Sequence, residues 1–313
     1  MIKNVTSVAL PVDETLYIRK NVLAHGSSRK RICVVSGTHG DELEGQYVCF
    51  RLVREIQRNI HKLNGTVEVY PALNPLGVDS IMRGIPGFDL DMNRIFPGSP
   101  EGSMAEAVAA SIIEDLAGAD MVIDIHSSNI FLREVPQCRI NVLCEQTLLP
   151  WSLMLNTDFI WIHDASTVLE ATLAHSLNVR DTPTIVVEMG VGMRVNHGCC
   201  NRLVAGIFNM LHHMGVWREA AGSDDISSPI VSKGDSVEFV NAKASGVFIP
   251  DIREGSMVRR GEHIGDIVSS LSGEVLDRVM SPDDGFLFTI RAYPVVYEGS
   301  LIARIHKFDT RQS

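Results

Sequence analysis

The chain has 313 residues, 45% of them hydrophobic, and 28 Lys and Arg against 38 Asp and Glu give a formal net charge of −10. Such a chain can bury one large core and a second, smaller one, which excludes a fibrous or disordered protein. The acidic balance argues against a nucleic-acid surface, which needs clustered Lys and Arg. No stretch approaches the roughly 20 apolar residues of a membrane helix, and Met1-Ile2-Lys3-Asn4 opens no secretory signal, so the expected location is the cytoplasm.

The six cysteines (Cys33, Cys49, Cys138, Cys144, Cys199, Cys200) are scattered and form no Cys-x-x-Cys pair. That usage suits reduced core thiols rather than a disulfide framework or a thiolate metal site.

In chain order, Arg31-Ile-Cys-Val-Val-Ser-Gly37 is a short apolar, β-branched run that predicts a buried strand. Leu43 to about Ile60 carries apolar residues at helical spacing, with Arg51, Arg54, Glu55 and Arg58 on the other face. Thr66 to Ala72 predicts a second strand, closed by Asn74-Pro75. Residues 75–102 hold four glycines and three prolines between positions 84 and 102 beside Ile81, Phe88, Leu90, Ile95 and Phe96, and predict a long, ordered, functional loop. A helix over 103–116 leads to the strand Met121–His126, strands over 139–145 and 158–163, a helix over 165–177, a strand over 184–188 and a helix over 199–216. Alternating strands and helices predict an α/β domain over residues 1–220, with a mixed sheet covered on both sides. The polar stretch 220–228 reads as a linker, and the glycine-punctuated β-prone runs after it predict a small all-β unit over 229–313.

His39-Gly40-Asp41-Glu42 follows the first buried strand, at the carboxyl end where α/β proteins place ligands. An imidazole and a carboxylate three residues apart can turn toward one metal ion, and zinc takes such donors in sites with three protein ligands and an open position. His126 ends another apolar strand and is the candidate third ligand; Asp124, two residues earlier, faces the same way and is a candidate outer carboxylate. The spacing alone is weak, since His263/Asp266 and His306/Asp309 share it; the position after buried strands is what distinguishes His39 and Glu42. Glu188 closes Thr184-Ile-Val-Val, where a carboxylate needs a partner or a task. It is either a general base beside the metal or an ion-pair partner of an arginine such as Arg180 or Arg194.

These residues resemble the succinylglutamate desuccinylase and aspartoacylase family, related in fold to the zinc carboxypeptidases. The matching motifs are Gly37-Thr-His-Gly-Asp-Glu42 with Gly45, Asn74-Pro75, Arg83, Asp91-Met-Asn-Arg94 with Phe96-Pro-Gly98, Asp124-Ile-His-Ser127 and Val187-Glu-Met-Gly190. The resemblance spans most of the chain and implies a three-layer α/β/α carboxypeptidase-like domain holding one Zn2+ through His39, Glu42 and His126. It implies that Glu188 is the base, that Arg83 polarises the scissile carbonyl and that Asn93 and Arg94 hold a substrate carboxylate. Arg180 is the nearest match to a further substrate-binding arginine of the family. The implied reaction is hydrolysis of the amide bond of a small anionic N-acyl amino acid, in a chain that forms a homo-oligomer. A metallocarboxypeptidase acting on a short peptide, or a non-catalytic metal-binding scaffold, are the alternatives. Residues 244–265 resemble the hammerhead of biotinyl and lipoyl domains, yet no lysine lies between Lys243 and Lys307, which excludes a covalently attached cofactor there and leaves a lid or assembly role.

Overall fold

The structure, a computed structural model, describes residues 1–164, 170–220, 226–234 and 236–308. Residues 2–25, given no element in the sequence analysis, form an antiparallel hairpin of β1 (Ile2–Ala9) and β2 (Thr15–His25). The chain continues through β3 (Arg31–Ser36), α1 (Glu44–Arg58), β4 (Gly65–Tyr70), α2 (Pro75–Ser80), α3 (Met104–Leu116), β5 (Met121–Ser127) and β6 (Leu132–Asn141). It then forms α4 (Glu145–Ser152), β7 (Phe159–His163), α5 (Leu173–Asn178), β8 (Thr184–Gly190) and α6 (His197–His213).

At the heart of the sheet, β4, β3, β5 and β8 lie side by side and parallel. Their sequences are almost continuously apolar because helices cover both faces. Ile32, Val34, Ile123 and Val187 pack with Val48 and Leu52 of α1 and Leu203 and Ile207 of α6. Cys33, Val35 and Val122 point the other way, against Ile112 and Ile113 of α3 and Leu177 of α5. Cys33 and Cys49 are buried, and all six cysteines are free thiols. Ser103 caps α3 reciprocally with Glu106, as its sequence position suggests. No helix among the described residues is long and apolar enough to cross a membrane.

Three expectations need correction. The strand expected at 139–145 starts earlier, as β6, and stops at Asn141, whose side chain accepts a hydrogen bond from the Leu143 amide at 2.8 Å and turns the chain into α4. The helix expected over 165–177 is the shorter α5, begun by the Thr172 cap; residues 165–169 lie outside the described residues, as do 221–225 of the expected linker. Within residues 75–102, α2 and a turn of 3₁₀ helix at Met92–Arg94 give the long loop regular structure. That loop buries Ile85, Met92 and Phe96, while Ile81 and Phe88 stay exposed.

The C-terminal part comprises β9 (Ile230–Lys233), β10 (Val237–Asn241), β11 (Gly246–Pro250), β12 (Ser256–Val258), β13 (His263–Val268), β14 (Val275–Met280), β15 (Gly285–Arg291), β16 (Val295–Val296) and β17 (Leu301–Lys307). Strands β14, β13, β11 and β16 make a separate antiparallel sheet. The others extend the large sheet: β15 pairs with the start of β6, β17 pairs with β15, and β9 pairs with β7. Phe159 of β7 stacks on Phe288 of β15 with centroids 4.3 Å apart, sealing the junction.

A buried charge cluster fastens the N-terminal hairpin to the helical layer. Lys20 of β2 lies 3.0 Å from Glu68 of β4 and 2.7 Å from Asp115 of α3, and Tyr70 donates to both carboxylates. Burial pushes the Glu68 carboxyl upward, but Lys20, Tyr70 and Arg31 outweigh it and hold it below its ordinary value. Lys20→Met leaves two carboxylates short of a counter-charge, and urea denaturation should show a loss of about 3 kcal/mol.

Candidate metal centre and active site

The parallel register carries the key side chains to one rim. His126, near the end of β5, is the direct neighbour of Glu188 on β8. β3 ends level with Ile125 at Ser36, so His39 and Glu42 emerge on the same side in the turn before α1. Gly40 is required there: a Cβ on it would sit 1.9 Å from the backbone carbon of Gly77 in α2. Gly190 closes β8 at φ +62°, where a Cβ would meet the buried Glu44 carboxylate at 1.9 Å.

His39, Glu42 and His126 are all buried, and their ligand atoms lie within 4.8 Å of one another. The Glu42 carboxylate bridges the imidazoles, with Oε1 2.7 Å from His39 Nδ1 and Oε2 2.9 Å from His126 Nδ1; the two Nδ1 atoms are 3.3 Å apart. On the far side of each ring another carboxylate waits: Asp91 Oδ1 at 2.9 Å from His39 Nε2, and Asp124 Oδ2 at 3.1 Å from His126 Nε2. The Asp91 hydrogen bond holds the proton on His39 Nε2 and turns its Nδ1 lone pair inward, and Asp124 sets a negative charge behind the His126 ring. Two imidazoles and a carboxylate in a closed space form a donor set that a divalent cation satisfies, so the residues present fit a metal ion.

The electrostatics agree. Without a cation, burial disfavours the charged imidazoles, but the surrounding carboxylates outweigh it and raise both histidines above their ordinary value. Burial pushes Glu42 up as well, and the two imidazoles overcome it, holding its carboxyl far below the usual range. Glu42 also accepts from the Ser127 amide at 3.1 Å.

Beside this cluster opens a cavity of about 530 Å³. Glu188 lines it; burial raises its carboxyl pKa, partly offset by Arg139 and His126. Its arginine partner is Arg139 of β6, at 3.3 Å, rather than Arg180 or Arg194. Arg83 donates to Glu42 Oε1 at 3.0 Å and lies 3.4 Å from Asp91 Oδ2 at the cavity edge. Asn93 Oδ1 accepts from the Leu173 amide at 2.9 Å, which commits its oxygen and assigns the NH2 group as its donor end. Arg94 lines the cavity with an exposed guanidinium whose Nη1 donates to the Asn93 carbonyl at 2.7 Å.

Arg180 is not brought to this place. It pairs with Glu114 of α3 at 3.1 Å and does not line the cavity. Sequence reasoning also missed residues that do line it: His163, His175, Glu134, Arg139 and Arg304, the last from β17. None belongs to a spaced motif; the only sequence signal was the rarity of charge within apolar strands. His263 serves a local structural pair, 2.7 Å from Asp251 and 2.9 Å from Asp266; Asp309 lies outside the described residues.

Comparison with known proteins agrees with this architecture. Residues 28–214 match the Succinylglutamate desuccinylase/Aspartoacylase catalytic domain. N-alpha-acetyl-L-2,4-diaminobutyric acid deacetylase from Halomonas elongata is 24% identical over 286 residues, covering 87% of this chain and 80% of that protein. A succinylglutamate desuccinylase/aspartoacylase from Rhodobacter sphaeroides superposes with a TM-score of 0.81 at 23% identity, over 96% of this chain and 94% of that one. The ectoine utilization protein EutE (DoeB) from Ruegeria pomeroyi, in a product-bound structure, gives a TM-score of 0.78 at 19% identity, over 94% and 90% of the two chains. The chain belongs to the succinylglutamate desuccinylase/aspartoacylase family.

Proposed function

We propose that the protein is a zinc-dependent amidohydrolase that cleaves the amide bond of a small anionic N-acyl amino acid. The observation that carries this is the convergence of His39, Glu42 and His126 beside Glu188, at the wall of a cavity sized for a small molecule. The relative from Halomonas elongata, named for removing an acetyl group from an amino acid, supports the reaction class.

His39, Glu42 and His126 would hold the zinc, which would supply Lewis acidity toward water and an amide carbonyl. Glu188 takes the proton of the attacking water and passes it to the departing amine nitrogen, a general acid–base role suited to a carboxylate whose pKa is raised by burial. Arg83, at the edge of the ligand cluster, stabilises the negative charge that develops on the acyl oxygen, worth about 3 kcal/mol for one preorganised donor. Asn93 and Arg94 hold the substrate carboxylate; a planar guanidinium grips it through two parallel hydrogen bonds. With Arg180 turned toward Glu114, the substrate-binding role first given to it has no support in the geometry.

The same proposal covers the architecture at finer grain. Residues 1–220 form a zinc-carboxypeptidase-like hydrolase unit, supported by its two helical layers. Residues 229–313 form a β unit of the barrel-sandwich type, supported by a core cluster of its own around Phe248, Ile264 and Ile305. The chain works in the cytoplasm as a homo-oligomer.

Elemental analysis should find about one zinc per chain, lost in His126→Ala; a chelator should lower Tm by several degrees and added zinc should restore it. Amine release from N-acetyl-aspartate, N-succinyl-glutamate and N-acetyl-diaminobutyrate should reveal a turned-over acyl donor, and Glu188→Gln should lower kcat by about 10²-fold or more while keeping its zinc. Zinc without release from any donor would favour a scaffold, and release only from short peptides a carboxypeptidase. Arg94→Met should cut kcat/KM by about 10- to 100-fold, mainly through KM.

A further inference from the structure

Four charged side chains of alternating sign run along the cavity wall, from the last strand of the large sheet to the proposed base. Arg304 of β17 donates through Nη1 to Glu134 Oε1 at 2.6 Å. Glu134 also receives Arg139 Nη2 at 3.0 and 2.8 Å on its two oxygens, and Thr289 Oγ1 at 3.2 Å. Arg139 Nη1 then reaches Glu188 Oε1 at 3.3 Å. All four charged residues line the cavity, and Glu134 is only 2% exposed.

The backbone is built to allow this. Glu134 pairs in register with Thr289 on β15, and Thr289 pairs with Arg304 on β17, so the three stand abreast on one face. Glu134 and Arg139 are five apart, which in a regular strand would set them on opposite faces. The register of β6 against β8 is broken between Glu134 and Gln137, around Pro136, and this break returns both side chains to the same face.

We propose that Arg304 is a positioning residue for Glu188, acting through Glu134 and Arg139; this rests on the assignment of Glu188 as the base. A lone arginine and a buried carboxylate prefer a fork-to-fork pair with two parallel hydrogen bonds. Arg139 does not make that pair: its Nη2 alone spans the two Glu134 oxygens and its Nη1 turns to Glu188, while Arg304 makes the shortest contact to the Oε1 that a second Arg139 nitrogen would need in a full fork. One carboxylate between two guanidiniums also leaves an uncancelled positive charge facing Glu188. Both guanidiniums lie over the Trp161 ring, at 5.7 and 5.8 Å, which limits their freedom to swing. Without Arg304, Arg139 closes onto Glu134 and releases Glu188.

The test uses the zinc-loaded full chain with Arg304→Gln, Arg304→Lys and, as a control on the same strand, Lys307→Gln, whose side chain pairs with Glu238 at 3.3 Å. With the best acyl donor among N-acetyl-aspartate, N-succinyl-glutamate and N-acetyl-diaminobutyrate, Arg304→Gln should lower kcat about tenfold or more with KM within about twofold. Arg304→Lys should recover most of the loss, and Lys307→Gln should match wild type. A crystal structure of Arg304→Gln should show Arg139 drawn away from Glu188. Unchanged kcat in Arg304→Gln while Glu188→Gln is inactive would overturn the proposal, as would a rise in KM with kcat kept, which places Arg304 on the substrate. An active Glu188→Gln would instead remove the base assignment. The crystal structure decides the geometry even if no donor is turned over: an intact Arg139–Glu188 contact in the variant defeats the relay.

Discussion

The site rests on the register between two neighbouring parallel strands. Setting His126 of β5 opposite Glu188 of β8 places a candidate metal ligand and the proposed proton acceptor a strand spacing apart on one edge of a rigid sheet. A slip of one residue would send one of the two into the helical layer, because alternate residues face opposite ways. The core forbids that slip. Ile123, Ile125, Ile185 and Val187 are fully packed beneath α1 and α6, and each would have to exchange places with a residue of the other face. The chemistry thus inherits its precision from apolar packing that itself takes no part in it.

The candidate metal ligands illustrate a second principle, that a buried polar group is placed by what stands behind it. Asp91 bonds the outer nitrogen of His39 and so decides which of its lone pairs faces inward, while Asp124 places a charge 3.1 Å from the outer nitrogen of His126. Asp91 comes from the long loop, whose buried Met92 and Phe96 anchor it against α3. The loop therefore orients a candidate ligand as well as presenting Asn93 and Arg94 to the cavity. Its order, expected from its apolar residues, is a condition of the site and not an ornament of it.

How much of this was legible in the sequence follows from how local each signal is. Strands β3, β5 and β8 stood out because burial on both faces writes an unbroken apolar run, and His39, Glu42, His126 and Glu188 stood out because they interrupt or close such runs. The β1–β2 hairpin did not, since it exposes much of its length and buries a lysine that makes sense only beside Glu68 and Asp115. Arg180 was misleading for the opposite reason: it is near Glu188 in sequence, but the turn between α5 and β8 aims it at Glu114. Glu134, Arg139 and Arg304 were invisible because their meeting depends on strand order and on a break in register around Pro136, neither of which leaves a spacing in the sequence.

The sharing of one sheet by both parts of the chain has a consequence for any shortened form of the protein. Strand β15 pairs with β6 over Leu132–Glu134 and covers that edge of it, and Phe159 has Phe288 stacked upon it. A fragment ending before residue 229 would bare that rim of amides and carbonyls together with an aromatic face, which is a template for strand addition from another molecule. Such a fragment is destined for aggregation, and the two parts of the chain must be inherited together.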